Sequence, residues 1–553
     1  MRPIPIVALL CLTACSQTSV KPTPSYYGTL EPFAKEAVYF VVTDRFVNGD
    51  PLNDQREQGG ANRSFDRPMT CADGTVDNVG YLGGDFRGLL DSADYIRDMG
   101  FSALWITPII DNPNEAFSGG DPISCGSSLT DRGKSGYHGY WGMNFYRVDE
   151  HLSSEGLGFK ELADGLHAKG LKVVLDIVSN HASPGFTMPT GQPGFGQVFD
   201  ADGRLLADHQ NLAPEALDAN NPLHAFFNRK KDLAQLADLN GDSPAVREYL
   251  AGAYLHWIEQ GADAFRIDTI RHQPTSYWRD FSDRIRARHP GFFMFGEAFD
   301  YDPKNIAPYT WPENGAISVL DFPLKAALLE VFEKPNSSYA TLEPALALND
   351  GPFHNPYELT TFYDNHDMAR MNATDQGFID AHNWLFTARG IPVIYYGSEI
   401  GFMRGRAEHW GNRNFFGTER MRDATAHPIY AALKKIAGVR KSSIALQRGL
   451  QLNVKLQGDH AIFYRVYQHA GVTQTALVML NKADSAQTLR VTRFLAPGVW
   501  QDALSGEDVR AEQELAAVVP AHGVRVFLYS GVAQDKDTVE RLNQLASRKS
   551  TRN

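Results

Sequence analysis

Residues 263–268 read Asp-Ala-Phe-Arg-Ile-Asp, and in an extended strand such side chains alternate between two faces. Arg266 and Asp268 then share one face, while Phe265 and Ile267 take the other. A cation and a carboxylate turned inward together are costly to desolvate unless they work as a unit. A second apolar run, 292–297, ends in Glu297, and Asp364-Asn365-His366-Asp367 follows a third run at 359–363. A single Asp or Glu is most often a surface or structural residue. Three at the ends of successive strand candidates, with His and Arg beside them, form a titratable cluster in a cleft. Converging carboxylates suit glycoside hydrolysis, in which one attacks the sugar, one donates a proton and a third holds the ring.

These residues need a scaffold that gathers strand ends. Eight strand candidates, at 38–43, 103–107, 172–178, 263–268, 292–297, 318–321, 359–363 and 392–395, alternate with helical patterns at 86–99, 156–169, 244–260, 274–289 and 374–389. Ser243 as N-cap and Pro244 at the first helical position mark one helix start. The alternation predicts an α/β fold, a (β/α)8 barrel whose active residues sit at the C-terminal ends of its strands. Strands 4 and 5 are neighbours there, so Asp268 and Glu297 are expected to face each other across the mouth. Two intervals, 109–136 and 182–242, exceed ordinary loops, and the second is long enough for an inserted subdomain. Beyond 442, short alternating runs (AIFYRVYQ, TALVMLN, QTLRVT, VRVFLYS) predict a C-terminal antiparallel β-sandwich. The expected division is a signal at 1–15, a linker at 16–35, the barrel at 36–181 and 243–441, the subdomain at 182–242, the β-domain at 442–531 and a charged tail at 532–553.

At 553 residues the chain exceeds one ordinary domain. A 43% hydrophobic and 21% charged composition excludes wholesale disorder. A net charge of -12 argues against a nucleic-acid partner. At the start, MRPIPIVALLCLTAC places one Arg before a short apolar run, a secretory signal too short to be a membrane helix. Leu12-Thr13-Ala14-Cys15 resembles the lipobox of bacterial lipoproteins, which implies cleavage before Cys15 and a lipid on that residue. Ser16 in place of Asp implies the outer membrane, on its periplasmic or cell-surface face, and the Ser/Thr/Pro-rich stretch 16–34 reads as a tether. Cys71 and Cys125 are then left in an oxidising compartment, where a disulfide is expected and two free thiols are the alternative.

Taken in order, the motifs resemble the α-amylase family, family 13 of the glycoside hydrolases, over roughly residues 36–530. They are 176–181 (DIVSNH), 236–240 (LADLN), 261–272 (GADAFRIDTIRH), 295–297 (FGE), 362–367 (FYDNHD) and 390–397 (GIPVIYYG). The resemblance implies Asp268 as nucleophile, Glu297 as acid/base and Asp367 as the carboxylate that grips sugar hydroxyls. It implies that Arg266 holds Asp268 ionised and aimed, and that His138, His181 and His366 donate to the sugar at the cleavage point. Tyr140 would be the platform beneath that sugar, and Arg413 a distal substrate-binding residue. A retaining pair is expected about 5–5.5 Å apart. Calcium is the implied cofactor, held by Asn180, Asp238 and the His272 carbonyl, all oxygen donors as a hard cation requires. Asn48, Asp50, Asn53, Asp54, Gly83 and Asp85 resemble a second calcium loop of cyclodextrin glucanotransferases, with Asn48 where the first ligand is usually Asp and an ordinary turn as the alternative.

Cyclodextrin glucanotransferases carry two further domains for which 531–553 leaves no room, and cyclomaltodextrinases an N-terminal one for which 16–35 leaves none. Ala234 stands where the glucanotransferases have the aromatic around which the glucan curls, and it offers no ring. The expectation is therefore an endo-acting, monomeric α-amylase that hydrolyses starch and maltodextrins and meets a membrane only through its lipid. The alternatives are a glucanotransferase or cyclomaltodextrinase, and a surface glycan-binding lipoprotein with a dead site. If Cys15 carries lipid, Cys15→Ala should abolish lipid labelling and move the protein to the aqueous phase of a detergent separation; a wild type already aqueous rules the lipobox out.

Overall fold

The computed structural model describes residues 24–548; the signal segment, with Cys15, lies outside the described residues. Eight short parallel strands form the centre: β1 (Val38–Val41), β2 (Ala103–Ile106), β3 (Lys172–Ile177), β4 (Ala264–Ile267), β5 (Phe293–Gly296), β6 (Ser318–Val319), β7 (Thr360–Thr361) and β8 (Ile391–Tyr395). Their order is β6-β5-β4-β3-β2-β1-β8-β7. A bridge between Leu320 and Thr360 brings β6 against β7, so the sheet curls into the expected barrel. Strands covered by helices outside and packed side chains inside read as continuous apolar runs, and β1, β2, β4 and β5 are buried at every position. Phe40 stacks on Trp105 at 3.8 Å within the barrel.

The helical expectations hold with one change: 86–99 forms two helices, Phe86–Asp91 and Ala93–Asp98, broken at Ser92, whose hydroxyl bonds back to the Gly88 carbonyl at 2.6 Å. Pro244–Glu259 begins after Ser243, although the Ser243 side chain makes no capping bond. The insertion is not confined to 182–242. Its strands Gln197–Phe199 and Leu205–Asp208 share a sheet with Asn144–Val148 and Ile110–Asp111 of the segment after β2. A disulfide joins Cys71, in the hairpin Pro68–Thr70 and Val76–Asn78, to Cys125 in the 109–136 segment.

Eight antiparallel strands make the C-terminal domain: β9 (Leu450–Gln457), β10 (His460–His469), β11 (Val472–Asn481), β12 (Gln487–Val491), β13 (Gly498–Asp502), β14 (Asp508–Ala511), β15 (Leu515–Val519) and β16 (Gly523–Tyr529). Six form one sheet, β9-β10-β11-β16-β13-β14, and β12 pairs with β15. Two boundary expectations are corrected. Within the supposed linker, Tyr26 pairs with Gln468 of β10, and Phe33 and Ala34 are buried, so the chain is docked well before residue 36. Within the supposed tail, Lys536–Ala546 is a helix, because Leu542 and Leu545 give it an apolar face to bury and Asp535 caps its start.

Buried cations fasten this domain to the barrel. The Arg465 guanidinium donates to the Thr387 carbonyl at 2.9 Å, at the end of the helix Asp375–Thr387, where a helix favours positive charge. His522 grips from the other side, with Nδ1 2.7 Å from Asp380 of that helix and Nε2 2.9 Å from Asp484. Its hydrogen bond to Asp380, opposed by burial and helped by Asp484, pushes the imidazole up to about 9, while burial pushes Asp380 up to about 6 against the pull of His522. An unfolded His releases its proton near 6.5, so folding takes up a proton between there and 9, and stability falls as pH rises through that window. The melting-temperature gap between wild type and His522→Asn should be widest near pH 6.5 and close as pH passes 9; a gap that grows toward alkaline pH would contradict the clasp.

Candidate active site

β4 delivers Arg266 and, one residue past its end, Asp268. The Arg266 side chain is fully buried, with Nη1 2.9 Å from Asp268 Oδ1 and Nη2 2.8 Å from Glu297 Oε2, so the two carboxylates lie on one guanidinium. A third, Asp176, lies 2.9 Å from Nη1. Sequence reasoning assigned Asp176 no role, yet it faces Arg266 in the β3–β4 register, and an acid within the apolar run KVVLDIV was the available signal. Trp105 Nε1 at 3.0 Å and the Tyr140 hydroxyl at 2.8 Å also donate to it. Thr269 donates its hydroxyl to Asp268 at 3.0 Å from a left-handed backbone, φ 46 and ψ 42. A β-branched residue is strained there, and such strain persists only where the surroundings fix it.

One guanidinium among three buried carboxylates leaves negative charge uncompensated, so a proton is retained. Burial pushes Glu297 up to about 8, and repulsion from Asp367 and Asp268 adds to it against Arg266. Burial likewise pushes Asp176 up to about 7 despite Arg266. Glu297 thus keeps its proton at neutral pH.

Asp367 follows β7 and keeps about a third of its side chain exposed to the cleft. His138 and His366 are held well below the ordinary imidazole range, by burial and by nearby Lys134 and Arg413 respectively, so both are neutral hydrogen-bonding groups. Burial lowers His181 too. The Tyr140 ring stacks 5.3 Å from His366, and its backbone N–H donates to His138 Nδ1 at 3.1 Å. The intervening Gly139 has φ 84, and a Cβ there would meet the Pro108 carbonyl at 2.1 Å, so only glycine makes this turn. Arg413 does not lie further along the cleft: it is buried, 2.7 Å from Asp367 and donating to the His366 carbonyl at 2.9 Å. Phe299 and Tyr301, just past Glu297, are 52% and 46% exposed and pack edge to face at 5.9 Å, a pair of open rings that the motifs did not disclose.

The residues named for calcium meet at the seam of barrel and insertion. The Asn180 Oδ1 atom is buried without a partner. Asp238, paired with His181 across the strands, has its carboxyl pushed up to about 7 by burial, with the Asn228 amide at 2.8 Å as its donor. His272 binds Asp232 through Nδ1 at 2.8 Å, and the Asn180 amide donates to the same carboxylate at 3.1 Å. Asp232 is thus a further acid at this seam. An orphaned amide oxygen beside the acids Asp232 and Asp238 fits a hard cation. The second set also converges, and most of its polar groups are paired, although the Asn53 Oδ1 atom is buried without a partner. Asp85 caps the helix Phe86–Asp91 and accepts from Gly49, Asp50, Asn53 and Gly88, while Asp54 accepts from Asn48 at 2.7 Å and faces Arg56. Gly83 lies against Asn48 and Asp54. Arg56 supplies a cation beside Asp54, while the orphaned Asn53 oxygen is the same kind of signal as that of Asn180.

A family model, Alpha amylase, catalytic domain, matches residues 40–442, and the chain belongs to the alpha-amylase family. It is 28% identical over 494 residues to a cyclomaltodextrin glucanotransferase of Bacillus licheniformis, covering 86% of this chain and 63% of that relative. The chain thus spans less than two thirds of the relative's length. Among solved structures, an Anoxybacillus alpha-amylase is similar at TM-score 0.69 and 26% identity, over 91% of this chain and 99% of that one. A cyclomaltodextrin glucanotransferase with a three-domain ABC distribution is similar at TM-score 0.69 and 28% identity, over 90% and 99%.

An ion bound by Asn180, Asp238 and the His272 carbonyl would stabilise only the folded seam. Exhaustive chelation should lower the melting temperature and added calcium restore it, with Asp238→Asn insensitive to both; an unchanged wild-type melt rules out a structural ion.

Proposed function

We propose that the protein hydrolyses internal α-1,4-glucosidic bonds of starch and maltodextrins with retention of configuration. The observation that carries this reading is the placement of Asp268 and Glu297 on adjacent nitrogens of one buried guanidinium, with Glu297 raised to about 8. Asp268 attacks the anomeric carbon and forms a glycosyl ester as Glu297 gives its proton to the departing oxygen. Glu297, now a carboxylate, takes a proton from the water that attacks the ester, and Asp268 is released. Asp367 holds sugar hydroxyls through the ring distortion, and neutral His138 and His366 supply hydrogen bonds without adding charge. Calcium held by Asn180, Asp238 and the His272 carbonyl ties the insertion to the barrel. The protein is read as exported and lipid-anchored at Cys15. A catalytically dead binder finds no support, since Arg266, Asp268, Glu297 and Asp367 are assembled together.

Transfer to a sugar acceptor is the second reading. The exposed Phe299–Tyr301 pair favours it, because open rings beside the acid/base can stack an acceptor sugar. Ala234 favours hydrolysis, since it presents no ring. It also has φ 47, so a larger residue there would be strained. A cyclomaltodextrin glucanotransferase with a three-domain ABC distribution removes domain count from the choice. On soluble starch, linear maltooligosaccharides with α-anomeric ends should dominate early products, and Asp268→Asn and Glu297→Gln should each lower kcat by orders of magnitude while maltoheptaose still binds. Early β-anomers would contradict retention, and cyclodextrins as the main early products would establish transfer.

A further inference from the structure

Arg413 serves two acids at once. Its Nη2 lies 2.7 Å from Asp367 Oδ1, and its Nη1 lies 3.1 Å from Glu408 Oε1. Nε donates to the His366 carbonyl at 2.9 Å, and Nη1 also reaches the Tyr137 hydroxyl at 3.4 Å. Glu408 is in turn 3.3 Å from Lys134 Nζ, which lies 2.7 Å from Asp131. His409 Nε2 is 3.4 Å from the same Glu408 oxygen. The Lys134 and Arg413 side chains are each 6% exposed and that of Glu408 14%. An alternating row, Asp131–Lys134–Glu408–Arg413–Asp367, thus runs from the disulfide-bearing 109–136 segment to the cleft.

A guanidinium with one free edge and a lone carboxylate beside it goes bidentate, since two parallel N–H···O bonds are better than one. A bidentate Asp367 would have both oxygens drawn onto the guanidinium, and neither would keep its full accepting strength and direction toward a sugar hydroxyl. Glu408 prevents this by occupying Nη1. Asp367 Oδ2 is left toward the cleft, with His366 Nε2 at 3.3 Å. Lys134 answers the second charge, so that Glu408 stays ionised although it is enclosed; burial opposes this, and Arg413 and Lys134 together hold the carboxyl well below its usual range.

We infer that Glu408, fixed by Lys134, is a positioning residue that limits Arg413 to one oxygen of Asp367 and so keeps the other available to substrate. This rests on the proposed glucan hydrolysis. Because Asp367 grips hardest as the ring distorts, loss of the device should fall mainly on kcat rather than KM.

A double-mutant cycle with maltoheptaose tests it. Glu408→Met, which leaves no acceptor for Nη1, should lower kcat/KM roughly tenfold in the wild-type background and have almost no further effect in Asp367→Asn, because both changes weaken the same grip on substrate. Glu408→Asp should recover part of the rate. Adding Asp131→Asn and Lys134→Met to Glu408→Met removes the rest of the charged row, so that no lone buried ion unfolds the site, and this triple variant should match Glu408→Met in rate. Equal losses in both backgrounds, or a loss in KM alone, overturn the inference while starch cleavage by the wild type leaves the proposed function standing. A wild type that cleaves no α-glucan overturns both.

Discussion

The site depends on one buried cation. Arg266 stands on β4 with no exposure, and its two terminal nitrogens meet carboxylates from β3, the end of β4 and the end of β5. Removing a guanidinium from water is so unfavourable that it fixes the geometry around it, since only charged partners at hydrogen-bond distance compensate. Burial then raises Glu297 and Asp176 against the pull of that cation, and repulsion from Asp367 and Asp268 adds to the rise at Glu297, which keeps its proton at neutral pH.

Much of this was legible in the sequence because strand periodicity is short and rigid. Two residues apart on one strand means one face, so Arg266 and Asp268 could be paired before any coordinates, and the eight runs could be ordered as a barrel. What was not legible depends on contacts across segments far apart in the chain. Asp176 matters through its register with Arg266, which belongs to the sheet rather than to either strand. Residues 110–111 and 144–148 join the insertion because a sheet edge accepts any strand of suitable geometry. The first described residues and the last helix dock for the ordinary reason that Phe33, Leu542 and Leu545 have apolar surface to bury, which polar neighbours in sequence concealed.

Arg413 marks a different limit of motif reading. A motif gives a residue type and a position, whereas the direction of a long side chain follows from whatever charges surround it. Here Asp367 and Glu408 capture the guanidinium from two sides, and the arginine supports the cleft instead of lining it further out. The same reasoning applies to the second calcium-like loop. Its residues converge as the pattern implied, with Arg56 and the backbone N–H groups around Asp85 meeting part of the charge and the Asn53 Oδ1 atom left without a partner.

These commitments bear on what can enter the cleft. Arg266 and Arg413 are each held by two or more acids, Lys134 is bound to Asp131 and Glu408, and Arg271 at the rim is 3.0 Å from Asp300. Burial keeps His138 and His366 neutral. A charged ligand would have to break one of these pairs, leaving an enclosed ion without a partner, and that is strongly unfavourable. A ligand with many hydroxyls and no charge needs only hydrogen bonds and an aromatic surface. The open oxygen of Asp367, the two neutral imidazoles and the Tyr140 ring supply both, so the electrostatics that hold Arg266 and Arg413 in their pairs suit an uncharged ligand rich in hydroxyls, as the proposed function requires.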